Sequence, residues 1–407
     1  MRMKLKKSSQ LMLVSAASLL AAGLISACST LTTDFVYVTS AKAAGTNNYG
    51  EINIFEINSE SGAMRQIPAS PIPSGGRNPV AEAVSSDNAS LFVVNEDDNT
   101  IVQFVIGSYG KLYPYNTVNT PGIYPMAVAV NSSYLFVVDT YQPLATCSSA
   151  SPCAGSVSVL PVSTATSSTP VTLGTAVTNS ANSSQYWPLT LVGKTSDVVA
   201  PTAVTQAGGY LYISAYDTTV SPHQGYIFVF TIGSGGVLSA VSGSPFKAGV
   251  QPSAIAIDGT GKYIYATDYS ANTVLGFSIS SGVLTTLSGS PYAAGNAPSA
   301  IVVDPAYNYA YVANSTDSTV SAYSITNGVL SPVIKTAGQA STYASGLNPV
   351  AIGIDPSKNH FLYTANFLGS SVSAWQLSTT DGTLVVAQGS PFTSNANPTA
   401  VAAIPHK

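Results

Sequence analysis

The chain has 407 residues, of which 45% are apolar but only 8% charged, with 33 glycines, 25 prolines and 23 tyrosines. Ordinary soluble domains carry about 25% charged residues, so Ser, Thr, Asn, Gly and Tyr must cover most of this surface. The formal net charge is −4 and no basic stripe is present, which excludes a nucleic-acid partner on electrostatic grounds.

The elements are taken in chain order. Met1–Lys7 carries Arg2, Lys4, Lys6 and Lys7, and an apolar run follows from Leu11 to about Ile25. That run is short for a membrane span and ends in "ISAC", with small residues before Cys28. The pattern resembles a bacterial lipoprotein signal. Residues 1–27 therefore read as a signal peptide, Cys28 as the palmitate-bearing new N-terminus, and 28–33 as a linker. Ser29 follows instead of the Asp that retains such proteins at the inner membrane, which points to the outer membrane or cell surface. Without the four leader cations, 10 Lys and Arg face 18 Asp and Glu, a net charge of about −8. Membrane contact is expected through the lipid alone, and the protein as a monomer.

Short β-branched and aromatic runs bounded by Gly, Pro, Asn and Ser then fill the chain, and no amphipathic helix is evident. "FVYVTS" (35–40), "EINIFEI" (51–57) and "GAMRQI" (62–67) read as three successive strands. From Pro79 the pattern is periodic. A proline followed two residues later by alanine recurs at Pro79, Pro125, Pro201, Pro252, Pro298, Pro349 and Pro398. The intervals are 46 to 51 residues, except for 76 between Pro125 and Pro201. Each copy opens an apolar strand, then one with an early aromatic that usually ends in Asn or Asp, then a polar turn and an alternating strand. A Gly-containing turn and a last strand follow, and three copies add "GSPF" or "GSPY" (Gly243, Gly289, Gly389).

Four strands per repeat, seven times, match the blades of a β-propeller. The predicted fold is all-β: one domain over residues 34–405, with seven four-stranded antiparallel blades and an insertion at about 141–200. The chain enters mid-repeat, and "PTAVAAI" (398–404) is a first strand without a blade. The N- and C-terminal strands are thus expected to share the seventh blade, removing an open sheet edge. The repeated alanine fits where inner strands converge on the axis, and the Val or Ile after it packs between blades. Cys147 and Cys153, in the turn-rich "TCSSASPCAG", are an exported, closely spaced pair without other ligands nearby, and are expected to form a disulfide.

The "YVTS" of 37–40, the "YVAN" of 311–314, the TVSxY/F strands and the GSPF turns resemble the lactonase-like, YVTN-type seven-bladed propellers. The resemblance spans roughly residues 34–405. It implies a family that includes 6-phosphogluconolactonases, carboxymuconate-lactonising enzymes and many surface proteins. Its motifs mark blades, not chemistry, and no catalytic residue of the family is carried over.

The loops that enter first strands and those between second and third strands should share one face around the channel mouth, the default ligand site. Glu82 stands out there. It occupies the place of Val128, Val204, Ile255, Ile301, Ile352 and Val401 in the other copies. Arg77, five residues earlier, is expected to reach it. Glu82 is then either a general base with a raised pKa beside a ligand-orienting Arg77, or half of a structural ion pair. "NEDDN" (95–99) lacks the spacing of a calcium loop and reads as a solvated turn; no metal or cofactor is expected. His223 lies in a mouth loop and is the further catalytic candidate, whereas His360 falls on the opposite face and His406 in the tail. Lys247 and the aromatics Tyr141, Tyr216, Tyr269 and Phe367 are candidate ligand contacts at the mouth. No GxSxG, HExxH, P-loop or paired CxxC is present. The favoured reading is an exported, lipid-anchored module that binds a small molecule, glycan, protein or envelope component. The alternative is a lactone hydrolase, with Glu82 or His223 activating water.

Overall fold

The computed structural model describes residues 32–163, 170–194, 196–336, 339–340, 342–355 and 360–405. Residues 1–31, with Cys28 and the expected signal peptide, and His406 lie outside them. Among the described residues the structure is almost entirely β, with two one-turn 3-10 segments, and no helix is long and apolar enough to cross a membrane.

Seven antiparallel sheets form seven blades. Blade 1 runs Pro79–Val84, Ser90–Asn95, Thr100–Ile106, Leu112–Asn119, from the innermost strand outward. Blade 2 runs Ile123–Val130, Tyr134–Tyr141, Ser156–Pro161, Trp187–Pro188. Blades 3 to 6 open at Val199–Ala207, Pro252–Ile257, Pro298–Val303 and Pro349–Ile354. Blade 7 takes its innermost strand, Pro398–Pro405, from the end of the chain and its second, Thr32–Ala44, from the beginning. Phe35 stands opposite Ile404 and Val38 opposite Val401. Each first strand packs against those of its two neighbours, and the circle closes through Pro398–Pro405 between blades 6 and 1.

The sequence pattern explains the packing. In a first strand, alternate side chains face opposite neighbours. The apolar residue three places after the proline packs on the preceding blade, as Val204 does on blade 2 and Ile255 on blade 3. The repeated alanine faces the following blade instead: Ala81 and Ala127 pack into the clusters shared with blades 2 and 3. It is small because a neighbouring sheet presses on it, not because it points at the axis.

The second strand supplies two further contacts. Its leading aromatic lies over a turn glycine of the next blade: Phe35 on Gly110, Tyr134 on Gly236, Tyr210 on Gly282, Tyr263 on Gly328, Tyr309 on Gly382 and Phe361 on Gly62. A Cβ on any of these glycines would come within 2.3 to 2.7 Å of the ring, and all six have φ between 68° and 84°, so only glycine fits. Two residues on, the Tyr hydroxyls of residues 37, 265 and 311 donate to the carbonyls of Gly110, Gly328 and Gly382 at 3.1, 2.8 and 3.1 Å.

Two details depart from the sequence expectation. Blades 3 to 7 carry a short fifth strand on the third, such as Phe246–Lys247 and Phe392–Thr393, and the GSPF and GSPY turns lead into three of them. The extra length at 141–200 is not one insertion. It is divided among the loop before Ser156–Pro161, the segment before Trp187–Pro188 and the approach to blade 3. The first of these holds the Cys147–Cys153 disulfide, with Cα atoms 5.5 Å apart.

Candidate functional site

The loops entering first strands and those after second strands do meet on one face. In blades 4 and 5 the buried Asp or Asn ending the second strand clasps the loop that enters its own blade. Asp268 accepts the Val250 and Gln251 N–H groups at 2.7 and 3.0 Å, and Asn314 accepts that of Gly295 at 3.1 Å. In five blades this side chain also packs on a glycine three residues before the proline. A Cβ on Gly76, Gly122, Gly249, Gly295 or Gly346 would lie 2.0 to 2.6 Å from Asn95, Asp139, Asp268, Asn314 or Asn366. Neighbouring blades are then latched: Asn99 Oδ1 accepts the Tyr124 N–H at 2.7 Å and Asn272 Oδ1 that of Ala297 at 2.8 Å. Side chains at the mouth therefore stand on a fixed rim.

Glu82 lies below this rim, in the seam between blade 1 and the composite blade 7. Its Oε2 accepts a hydrogen bond from Thr39 Oγ1, and the Ala402 N–H also bonds the carboxylate. Oε1 is buried without a partner, while the residue as a whole keeps some exposure. Burial pushes the Glu82 carboxyl up to about 8, against the smaller opposing effect of Thr39 and Ala402. Around neutral pH it is thus poised to hold or release a proton. Burial, and secondarily the nearby Glu82, pushes the Tyr37 phenol well above its ordinary value, so it stays a donor to Gly110.

Arg77 does not join Glu82, contrary to the sequence expectation. Its Nε donates to Asp98 Oδ1 at 2.7 Å, its backbone N–H to Asp98 Oδ2 at 2.7 Å, and its terminal nitrogen lies 2.6 Å from Oδ1. The cause is the shape of the entry loop. It carries Arg77 over the turn that follows the second strand, whereas Glu82 is three residues down the first strand on the seam face. Glu96 of the same acidic turn accepts from Asn78 Nδ2 at 2.7 Å. The sequence reading did not pick out Thr39 or Tyr37, because a partner drawn from the opposite end of the chain shows no local signal.

The other candidates are spread around the ring. His223 Nδ1 lies 3.1 Å from the Val220 carbonyl, and its ring stacks obliquely on Tyr216 at 5.2 Å. Both belong to blade 3, as does the exposed Lys247. Tyr141 of blade 2 packs edge-on against Tyr124 at 6.0 Å. Tyr269 and Phe367 rise from the turns of blades 4 and 6, their N–H groups bonded to the Gln251 and Asn348 carbonyls at 2.9 Å. Among the described residues, none of these is joined to Glu82 by a hydrogen bond, ion pair or ring contact. Cavities of about 280, 190 and 440 Å³ lie elsewhere, and Glu82, Arg77, His223 and Lys247 line none of the three.

Residues 277–398 match the model of the lactonase, 7-bladed beta-propeller family. No curated protein matches the chain. Among solved structures, the periplasmic gluconolactonase of Pseudomonas aeruginosa is similar at 17% identity and a TM-score of 0.68, covering 92% of this chain and 100% of its own. A candidate 6-phosphogluconolactonase of Bacteroides fragilis gives 18% identity and 0.69, covering 92% and 98%. A Lactobacillus plantarum protein gives 15% and 0.64, covering 91% and 98%. At these identities the likeness is one of fold. The chain is a seven-bladed β-propeller, and its residues 277–398 are similar to the lactonase, 7-bladed beta-propeller family.

Proposed function

We propose that this protein hydrolyses an unphosphorylated lactone at the Glu82 seam. The observation that carries the reading is a single acid at a position apolar in six of seven blades, with one oxygen held by Thr39 and the other unsatisfied. In the ionised form, Glu82 takes a proton from water as the water oxygen attacks the lactone carbonyl. The ring C–O bond then breaks, and the same proton passes to the departing alkoxide, leaving a hydroxy acid. The names of two similar structures, a gluconolactonase and a candidate 6-phosphogluconolactonase, support the reaction class. The charge at the mouth favours the neutral substrate. Arg77 is neutralised by Asp98 and Lys194 pairs with Asp197, so among the described residues no cluster of open cations at the mouth awaits a phosphate.

Purified protein assayed on glucono-δ-lactone and its 6-phosphate should open the neutral lactone above the spontaneous rate and prefer it. The rate should rise with pH towards a midpoint near 8, and Glu82→Gln should lose at least about 100-fold. Equal turnover in the variant, or no turnover of either lactone, ends the proposal.

The same reading has the enzyme exported and anchored through Cys28, on the strength of the basic, apolar and "ISAC" order at the start of the sequence. Cells fed labelled palmitate should label the wild type and not Cys28→Ala. Label in both, or in neither, contradicts the anchor.

A further inference from the structure

The blade 1 hairpin "GSYGK" (107–111) and the blade 3 hairpin "GSGGV" (233–237) adopt one conformation. Each is a single 3-10 turn closed by the N–H of its first residue on the carbonyl of its fifth, at 2.8 Å in both. The third residue is left-handed in each, Gly235 at φ 70° and Tyr109 at φ 58°. The fourth residue, glycine in each, lies under an aromatic of the preceding blade: Gly110 under Phe35 and Gly236 under Tyr134. Blade 1 therefore departs from a working glycine turn at two positions only, placing Tyr where Gly belongs and Lys where Val belongs. A left-handed tyrosine is disfavoured, and such strain tends to mark function when the fold does not require it.

The fold makes little use of this ring. Tyr109 is 75% exposed. It stands with Lys111 on one side of a cavity of about 440 Å³ whose other side is Glu56, Ile67, Pro68 and Ala69 of blade 7. That size is within the range of small-ligand sites. The lining is an open aromatic face, a short apolar wall and two polar groups. Glu56 Oε1 is taken by Arg65, which leaves Oε2 to accept, and Lys111 supplies a donor. A ring face for C–H groups beside one acceptor and one donor suits a pyranose, which offers an apolar face and a hydroxyl rim.

We infer that the Tyr109–Lys111 groove, on the outer rim between blades 7 and 1, binds a polysaccharide. This site is distinct from the Glu82 seam and does not depend on the chemistry proposed there.

The test is affinity electrophoresis of the purified protein in gels containing xylan, mixed-linkage β-glucan, galactomannan or dextran. Wild type should be retarded by at least one of them. Tyr109→Gly should lose at least tenfold in affinity while unfolding at the same or a higher temperature, since glycine suits the turn. Lys111→Val, the blade 3 residue, should weaken binding without loss of stability. Lactone turnover should be unchanged in both variants. No retardation of wild type in any gel, or equal retardation of Tyr109→Gly, overturns the assignment. A lower unfolding temperature for Tyr109→Gly also overturns it, since the ring would then serve the fold. So does a wild-type dimer that Tyr109→Gly converts to monomer, which would assign the groove to a second copy of the chain.

Discussion

A carboxylic acid in an inter-blade seam couples stability to pH, and Glu82 sets the sign. An ordinary glutamate titrates at 4.5, and burial raises this one to about 8. Between those values the folded chain retains a proton that the unfolded chain has released, so stability falls as pH rises through that window. The penalty is absent below the unfolded value and complete above the folded one. Glutamine keeps an acceptor for Thr39 and cannot ionise. Glu82→Gln should therefore match wild type in urea unfolding at pH 4, and exceed it by a few kcal/mol at pH 9. Parallel stability curves for the two proteins across that range would show that Glu82 is not held in its protonated form by burial.

At the scale of strands and turns, much of the fold could be read in advance, because each blade repeats one packing problem. The proline, the alanine and the apolar residue after it recur because every first strand meets the same two neighbours. The aromatics of the second strands recur because each caps a turn glycine. What escaped reading depends on reach instead of period. Arg77 is five residues from Glu82 in sequence, yet bonds Asp98, 21 residues on, because an entry loop and a second-strand turn share the rim. The glycine three residues before five of the seven prolines was visible in the sequence. Its meaning depends on the Asn or Asp side chain folded against it, which periodicity does not locate. The length at 141–200 looked like one block because sequence spacing cannot show that a disulfide loop, an outer segment and an entry loop fall on different edges of blade 2. Nothing local in the sequence marks Tyr109, because only the fold sets its turn beside that of Gly235.

For the molecule as a ring, everything at the Glu82 seam depends on how blade 7 is assembled. Its innermost strand is Pro398–Pro405, which supplies Ala402, and its second strand supplies Thr39; both hold the Glu82 carboxylate. The two strands run antiparallel with Asp34 opposite Pro405, so these two positions stand about one strand spacing apart. In blade 1 the same two strands are joined by the five residues 85–89. A rearranged chain can therefore begin at Pro398, run to Pro405, cross a five-residue turn copied from 85–89, and continue from Asp34 to Asn397. Every blade would then be continuous, and the new ends would fall in the mouth loop before Pro398, a surface position of the kind that tolerates such cuts. This permuted protein should unfold in one cooperative step at or above the temperature of the original chain. Its Glu82-dependent pH profile of stability should be retained, because Thr39 and Ala402 still flank the acid. A permutant that is soluble and compact, but whose stability no longer responds to Glu82→Gln, would show that the native seam is not built from these two strands. The buried acid would then need another explanation.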